Sequence, residues 1–448
     1  MARYLTRMKE IDTLIYADWI IPVDAQDRTL SNHAIAILDG RIIEILPSDH
    51  AECQYSALSV HKLKNHVVIP GLINTHTHAA MSLFRGLADD LPLMNWLQDH
   101  IWPAEGRWVD NRFVQDGTLL AIAEMLQSGT TCFNDMYFFP DETARIANSV
   151  GMRAVVGLIV LDFPTVWAAD ADEYIHKGVE LHDNYRNNSL ISTAFAPHAP
   201  YTVSNEPLER IVTLAEELDI PIHMHVHETA FEVNEAIQKG QRPLQRLKEL
   251  GITSPRLIAV HMTQINGDDL DILSQTGCHV AHCPESNLKL ASGYCPVQQL
   301  TEAGINVALG TDGAASNNDL DMVGEMRTAA LLGKCVADSA SAVPAMQVLR
   351  MATINAAKAL GLDHSIGSLE SGKAADIVAI DMNRVATQPM YHPVSQLIYA
   401  ADRSQVSDVW VAGKHLLHDH ILTTIDQDHI ISNARLWAQQ IKQSDEHS

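Results

Sequence analysis

The chain has 448 residues, of which 46% are hydrophobic and 19% charged, so it can bury a large core. Lysine and arginine total 31 against 55 for aspartate and glutamate, which gives a formal net charge of −24. This excess of negative charge disfavours nucleic acids and anionic membrane surfaces as partners. It does not exclude a small molecule that carries no phosphate.

The cysteines and the N-terminus indicate the cellular environment. The six cysteines are scattered and include no Cys-x-x-Cys pair, so we expect reduced thiols. The first ten residues carry charges and lack the apolar core of a signal peptide. No apolar run approaches the ~20 residues that cross a bilayer. The sequence therefore predicts a soluble, cytoplasmic protein, and it leaves a homo-oligomer open.

Both ends of the chain have the pattern of short β-strands. Residues 11–66 contain several β-type runs, and Asp39-Gly40 is a hairpin signal between two of them. Strand-type runs return after residue 365, and a surface helix is predicted over 429–443. The simplest arrangement pairs the two ends, so we predict a small β-sandwich side domain built from residues 1–66 and 365–448.

Between these ends, buried β-type runs alternate eight times with segments of helical period. The helical segments include 117–127, 206–218 and 242–250. The runs are Val67–Thr75, Thr130–Asp135, Ala154–Val160, Ser192–Ala196, Ile220–Val226, Leu257–His261, His279–His282 and Ile305–Gly310. This α/β pattern predicts a (β/α)8 barrel over 67–364, with its site at the C-terminal strand ends. A doubly wound open sheet is the alternative, but no glycine-rich phosphate loop follows the first strand.

Polar side chains collect at the predicted strand ends. His76 and His78 are two residues apart, so an extended strand points them to the same side. Strands four to eight also end in histidine or carboxylate residues, namely His198, His223, His225, His227, Glu228, His261, His282 and Asp312. Three imidazoles and one carboxylate suit a divalent metal, for which we expect zinc, with iron and manganese as alternatives.

Strands four and five bear on the number and the ligands of that metal. Barrel sites that hold two ions usually need a bridging lysine on strand four, and residues 192–203 contain none. We therefore predict one ion per chain. On strand five, His223, His225 and His227 share one face, so the residues alone leave the ligand open.

These motifs resemble a known family. The pattern Pro-Gly-x-x-Asn-x-His-x-His at 70–78, followed by His225-x-x-Glu228, His261 and Asp312, resembles the amidohydrolase superfamily. The connector at 367–376 also resembles that superfamily, and local matches at 101–105 and 286–293 resemble its 5′-methylthioadenosine/S-adenosylhomocysteine deaminase branch, which is grouped with triazine hydrolases. The resemblance implies hydrolytic deamination of an adenine nucleoside, most simply of 5′-methylthioadenosine to 5′-methylthioinosine and ammonia.

The resemblance also implies roles for individual residues. The metal ligands would be His76, His78, His225 and Asp312; the catalytic residues Glu228, His261 and Asp312; and the substrate contacts Glu105, His198, Glu228 and Asp312. The family's His-x-x-Glu spacing selects His225 over His227 and implies that the strand breaks before Glu228. A metal-activated water would attack C6 of the purine while Glu228 protonates N1.

Other functions remain as alternatives. They are an S-adenosylhomocysteine deaminase, a guanine- or triazine-type hydrolase on the same scaffold, and a non-catalytic scaffold protein, which the full set of ligand matches disfavours. Members that accept S-adenosylhomocysteine resemble this chain but carry arginine after strand three, whereas residues 154–176 here contain no arginine or lysine. We expect an apolar wall formed by Gly157, Leu161, Phe163, Pro164 and Trp167, and therefore a preference for 5′-methylthioadenosine.

Overall fold

Two eight-stranded sheets organise the chain, which the computed structural model describes from residue 8 to residue 445. The strands are β1 (Lys9–Ile20), β2 (Leu30–Leu38), β3 (Arg41–Pro47), β4 (Tyr55–Pro70), β5 (Leu72–Thr77), β6 (Thr130–Asp135), β7 (Arg153–Val160), β8 (Ile191–Pro197), β9 (Ile222–Val226), β10 (Leu257–His261), β11 (His279–His282), β12 (Asn306–Leu309), β13 (Ile377–Asp381), β14 (Val406–Val411), β15 (Lys414–His418) and β16 (Ile421–Leu422). Strands β5 to β12 form one sheet in chain order, and both chain ends form the other, in the order β16-β15-β14-β13-β4-β1-β2-β3.

Helices cover the outside of the sheet of β5 to β12. The helices of the described chain are α1 (Ser48–Gln54), α2 (Leu93–Asn95), α3 (Trp102–Trp108), α4 (Asn111–Gln127), α5 (Pro140–Val150), α6 (Ala171–Tyr185), α7 (Asn205–Leu218), α8 (Ala230–Gln238), α9 (Pro243–Glu249), α10 (Gly267–Thr276), α11 (Pro284–Lys289), α12 (Val297–Glu302), α13 (Met322–Val336), α14 (Ala345–Met351), α15 (Ile354–Ala359), α16 (Pro393–Tyr399) and α17 (Gln427–Asp445). Of these, α1 packs on β2 to β4 of the side domain, whereas α16 and α17 belong to the C-terminal sequence but pack on barrel helices. Within the described chain, no helix is long and apolar enough to cross a bilayer.

The predicted (β/α)8 barrel is confirmed. Adjacent strands from β5 to β12 pair in parallel, as in the register of Val280 with Val307 between β11 and β12. The last and first strands meet without a regular ladder. Thr75 Oγ1 donates to the carbonyl of Leu309 at 2.6 Å, and the Asp312 amide donates to the carbonyl of His76 at 2.9 Å. The C-terminal ends of β5 and β12 are therefore held side by side.

One strand prediction was wrong, because the run Val67–Thr75 is divided between the two sheets. Its first part completes β4, whereas its second part opens the barrel as β5. The division falls at Gly71, where a Cβ atom would lie only 1.9 Å from Thr131 Oγ1, so no larger residue fits. Both parts are buried apolar runs, and such runs look alike in sequence whichever sheet they join.

The predicted β-sandwich from both chain ends is also present. Strand β4 pairs with β13 only at its C-terminal end, where Pro70 faces Ile377, and Ile377 faces Trp410 of β14. The ring of His61, much earlier in β4, nevertheless lies 5.3 Å from the ring of Trp410. The two ring planes are inclined by 75°, so His61 meets Trp410 edge-on. The contact joins two distant parts of one sheet, which therefore folds back on itself as two layers. Trp410 is buried between them with an exposed fraction of 1%.

A buried ion pair joins the barrel to the side domain at the end of the barrel away from the C-terminal strand ends. Arg153 begins β7, and its Nε and Nη2 atoms lie 2.8 and 3.0 Å from the two carboxylate oxygens of Asp376, which precedes β13. The two side chains are only 8% and 3% exposed. The carboxylate also accepts the amide of Ala412 at 2.7 Å.

We expect Asp376→Ala to lower the free energy of unfolding by about 3–5 kcal/mol, because it leaves the buried Arg153 guanidinium without a partner. The measurement is urea unfolding of the purified chain. The matched control is Asp183→Ala, which removes an exposed pair with Arg186 at the end of helix α6 and should cost about 0–1 kcal/mol. Equal losses in the two variants would contradict the importance of burial.

Candidate active site

Four side chains converge at the C-terminal ends of the barrel strands. His76 lies in β5, His78 directly follows it, His225 lies in β9 and Asp312 follows β12. The Nε2 atoms of His76 and His78 each lie 3.3 Å from Asp312 Oδ1, and His225 Nε2 lies 3.2 Å from His76 Nε2. Four ligands at about 2.0–2.1 Å from a tetrahedral ion would be about 3.3 Å apart, so the spacing fits a divalent cation.

Hydrogen bonds at the other ring nitrogens leave the three Nε2 atoms free to coordinate. Each Nδ1 atom meets a partner outside the cluster; the partners are His223 Nε2 for His76 (2.9 Å), the Met136 carbonyl for His78 (2.6 Å) and the His198 carbonyl for His225 (2.7 Å). A carbonyl accepts only from an N–H group, so the lone pairs of His78 and His225 are on Nε2. Converging lone pairs repel one another unless a cation lies between them, which is the chemistry of a metal site.

Asp312 is fixed as the anionic member of the group. Its Oδ2 atom accepts hydrogen bonds from the hydroxyls of Ser286 at 2.6 Å and Ser316 at 3.0 Å, which leaves Oδ1 facing the histidines. Burial acts to raise the pKa of Asp312, but its contacts with His76, and then with His78 and His261, hold that pKa well below its ordinary value. The backbone of Asp312 is left-handed, with φ +64°, a strain that is common at functional sites.

The end of β9 decides which histidine of the fifth barrel strand joins the group. The strand ends at Val226, and His227 adopts a left-handed backbone with φ +55°. His227 is fully buried on the other side of the strand end, where its Nε2 atom accepts the amide of Leu244 at 3.2 Å. The structure thus brings His225, and not His227, to His76, and the break turns Glu228 toward the cavity.

Glu228 is held by its own backbone. Its amide donates to Glu232 Oε2 at 2.8 Å, and its carbonyl accepts from Thr263 Oγ1 at 2.6 Å. Burial, and then the negative charge of Asp312, raise the pKa of Glu228 to about 8, against a lowering effect of His78. A carboxyl group in this environment is protonated at neutral pH and can act as an acid.

His261 ends β10 beside Glu228. Its Nε2 atom lies 3.9 Å from Glu228 Oε2, and its Nδ1 atom lies 2.9 Å from Asn287 Oδ1. Burial lowers the pKa of His261, although Asp312 and Asn287 act in the opposite direction. The ring is therefore neutral, with the N–H on Nδ1 and the lone pair of Nε2 directed to the cavity.

A cavity of about 400 Å³ opens in front of these groups. Glu105 on α3 and His198 after β8 both line it. Glu105 is half-buried; burial raises its pKa to about 7, while Tyr137 and His78 act to lower it. Burial, and then His78 and His76, lower the pKa of His198 to about 3, so His198 is neutral. All the predicted site residues therefore meet in or beside one cavity.

The loop after β7 supplies an apolar wall, but with two corrections. Leu161, Phe163 and Pro164 line the cavity as predicted. Gly157 does not, because it lies within β7, where a Cβ atom would be 2.3 Å from the Asp135 carbonyl. Trp167 does not either, because its ring packs beside Tyr174 under Lys177 Nζ, outside the cavity. Ile159 and Val166 complete the wall, and among the described residues that line the cavity none is lysine or arginine.

The sequence interpretation missed the residues that orient the others. His223 was considered only as a possible ligand, yet its Nε2 atom contacts Nδ1 of His76. Ser286 and Asn287 lie within the 286–293 match, which gave a signal of importance but not of role. His282 was included among the strand-end residues, but it is buried and does not line the cavity.

Comparison with known proteins identifies the family. The sequence model described as "Amidohydrolase family" matches residues 67–416. A 5-methylthioadenosine/S-adenosylhomocysteine deaminase from Saccharophagus degradans is 54% identical over 98% of each chain. A crystal structure of an adenosine deaminase from Xanthomonas campestris with bound zinc is 50% identical, with a TM-score of 0.96 over 97% of this chain and 100% of that one. An atrazine chlorohydrolase from Arthrobacter aurescens, complexed with zinc, shares the fold at 23% identity, with a TM-score of 0.89 over 95% of this chain and 99% of the other. The chain belongs to the amidohydrolase family, and within it to the 5-methylthioadenosine/S-adenosylhomocysteine deaminases.

Proposed function

We propose that the chain deaminates 5′-methylthioadenosine to 5′-methylthioinosine and ammonia in preference to other adenine nucleosides. The observation that carries this proposal is a cavity that joins the converging ligands to an apolar loop and two polar contacts. The names of the similar deaminases support the same class of substrate. We further propose that one zinc ion per chain is held by His76, His78, His225 and Asp312.

The residues around the metal position prepare a water molecule for attack on C6. When bound, the cation would lower the pKa of a water molecule to about 7 and so supply a nucleophile at neutral pH. Asp312 stays ionised and can accept a proton from that water. His261 accepts a hydrogen bond through Nε2, because its Nδ1–H is donated to Asn287. The two groups thereby orient the attacking oxygen.

Glu228 acts as the acid that protonates the purine ring. Its protonated carboxyl donates to N1 of the purine, which prevents negative charge from building up on the ring as C6 becomes tetrahedral. The proton taken up by Asp312 then passes to the amino group, and ammonia leaves. The proton from Glu228 stays at N1, and the hydroxyl proton on C6 leaves as the carbonyl forms and restores the Glu228 carboxyl, directly or through solvent. The products therefore contain the atoms of the nucleoside and one water, and both residues return to their starting states.

The rest of the cavity selects the substrate. Glu105 lines the cavity, and in this proposal it accepts hydrogen bonds from the ribose hydroxyls, which favours a nucleoside over free adenine. The apolar side chains of Leu161, Phe163 and Val166 suit a methylthio group. A zwitterionic amino-acid tail would lose its hydration at this wall without gaining an ionic partner.

One observation favours S-adenosylhomocysteine as an alternative substrate. A second cavity, of about 460 Å³, adjoins the first at Tyr201 and Glu228 and contains Lys239 and Arg246. Arg246 already donates to the carbonyls of Pro200 and Val203 and to Asn205. Two carboxylates, Glu232 and Glu235, line the same cavity and oppose a bound carboxylate. Lys239 is therefore the cation that this alternative depends on.

The test is a comparison of kcat/KM for 5′-methylthioadenosine and S-adenosylhomocysteine. The reaction is monitored by the absorbance change that accompanies conversion of the adenine ring to hypoxanthine. We expect 5′-methylthioadenosine to be favoured by about 10- to 100-fold, the cost of an unpaired polar group in an apolar site. Free adenine should be a poor substrate. Equal or reversed values would contradict the apolar-wall argument, and a loss of S-adenosylhomocysteine turnover alone in Lys239→Ala would assign its tail to the second cavity.

A further inference from the structure

A second group of metal-binding side chains lies in the side domain, away from the catalytic cavity. His61 comes from β4, Asp408 from β14, and His415 and His418 from β15. One ring nitrogen of each histidine lies within 4.8 Å of the corresponding nitrogens of the other two. None of the four residues lines the cavity of the barrel.

Asp408 is the centre of this group. Its Oδ1 atom lies 3.0 Å from His415 Nε2 and 2.9 Å from His418 Nδ1. The aspartate side chain is only 6% exposed, whereas His418 is 58% exposed, so the group is anchored in the domain and open to solvent on one side. The separations are close to the about 3.3 Å between ligands of a tetrahedral ion.

We propose that His61, His415, His418 and Asp408 form a second binding site for a divalent transition-metal ion such as zinc. Three imidazoles and one carboxylate are the donor set that such ions prefer. The ion would tie β4 in one layer of the sandwich to β14 and β15 in the other. The site would therefore be a structural metal site that stabilises the side domain, and its role is independent of deamination.

Neighbouring groups orient the histidines before any ion binds. The ring of His415 stacks on that of Trp410, with centroids 4.1 Å apart and planes inclined by 16°. Ser59 Oγ lies 3.0 Å from His61 Nε2 and restricts the His61 ring. Such contacts to the ligands hold a site in shape and raise its affinity.

Without a metal ion, Asp408 forms hydrogen bonds with two of the histidines, and metal binding has to replace these hydrogen bonds. Without a cation, His415 and His418 are positioned to donate N–H groups to the carboxylate. For the cation to bind at those nitrogens, each proton must move to the other ring nitrogen of its imidazole, so that the lone pair faces the cation.

The test uses the full chain with the barrel site already loaded with zinc. Wild type, His418→Ala and His66→Ala are dialysed against micromolar zinc, and bound metal is counted by elemental analysis. His66 is the matched control, because it lies in the same strand as His61 and its Nδ1 bonds the Lys64 carbonyl, outside the proposed site. We expect wild type and His66→Ala to hold one more zinc per chain than His418→Ala, with equal deaminase activity in all three proteins.

Thermal unfolding provides a second measurement that separates loss of the site from loss of the fold. Added zinc should raise the melting temperature of wild type and His66→Ala but not that of His418→Ala, since only an ion bound to the folded state stabilises it. His61→Ala should behave like His418→Ala. An unchanged zinc count in both variants, or a single zinc in wild type at every concentration, would overturn the proposal and leave the group as a hydrogen-bond network only.

Discussion

Glu228→Gln is expected to keep the metal and to reduce kcat by about 10²- to 10⁴-fold. Glutamine preserves the shape of the side chain, and the backbone bonds that place it, to Glu232 and Thr263, are unaffected. What is lost is the proton for N1, at the step where charge develops on the ring. Steady-state kinetics with 5′-methylthioadenosine and elemental analysis of the same preparation measure the two effects separately.

The control for this variant is Glu235→Gln. Glu235 lies on α8 beside the second cavity and does not line the first, so its replacement should leave kcat close to that of wild type. The pH profile adds a second criterion. Glu228 is active when protonated, so activity that depends on it is present below its pKa and lost as the pH rises through it. This alkaline decrease should be absent from Glu228→Gln, and its persistence there would assign the acid to another group.

Periodicity was sufficient to predict the barrel but not the path of the chain into it. Each barrel strand is buried and each helix buries one face, so both leave a hydrophobic pattern within their own segment of the sequence. The transfer from β4 to β5 depends instead on how closely Gly71 approaches Thr131, a contact between residues far apart in sequence. Domain boundaries also depend on contacts between residues far apart in sequence, and the boundaries at 66/67 and 364/365 remain predictions.

The site was predictable where spacing alone specifies direction. His76 and His78 follow from the two-residue period of a strand, because β5 extends to Thr77, directly before His78. The choice between His225 and His227 required the left-handed turn at His227, which no local propensity indicates. Likewise, Ser286 and Ser316 contact Asp312 only because α11 and the loop after β12 are brought together by the barrel.

Metal binding should decrease in a graded order among three histidines of this region. His76→Ala removes a direct ligand and is expected to lose both the metal and activity. His223→Ala removes only the group that contacts His76 Nδ1, and it should lower metal affinity by about 10- to 100-fold while activity returns with added zinc. His227→Ala should retain the metal, because its ring bonds the Leu244 amide on the far side of the strand end.

Elemental analysis and zinc-dependent activity measure this order, and a His418→Ala background restricts the count to the barrel site. The variants can be compared directly because His223, His225 and His227 are alternate residues of one short segment and all three side chains are buried. Each variant therefore replaces the same type of residue in a similar environment. Loss of metal in His227→Ala with retention in His225→Ala would reverse the assignment of the ligand. Active wild-type enzyme without metal would exclude the whole scheme, because neutral water is too weak a nucleophile for C6 unless a cation lowers its pKa.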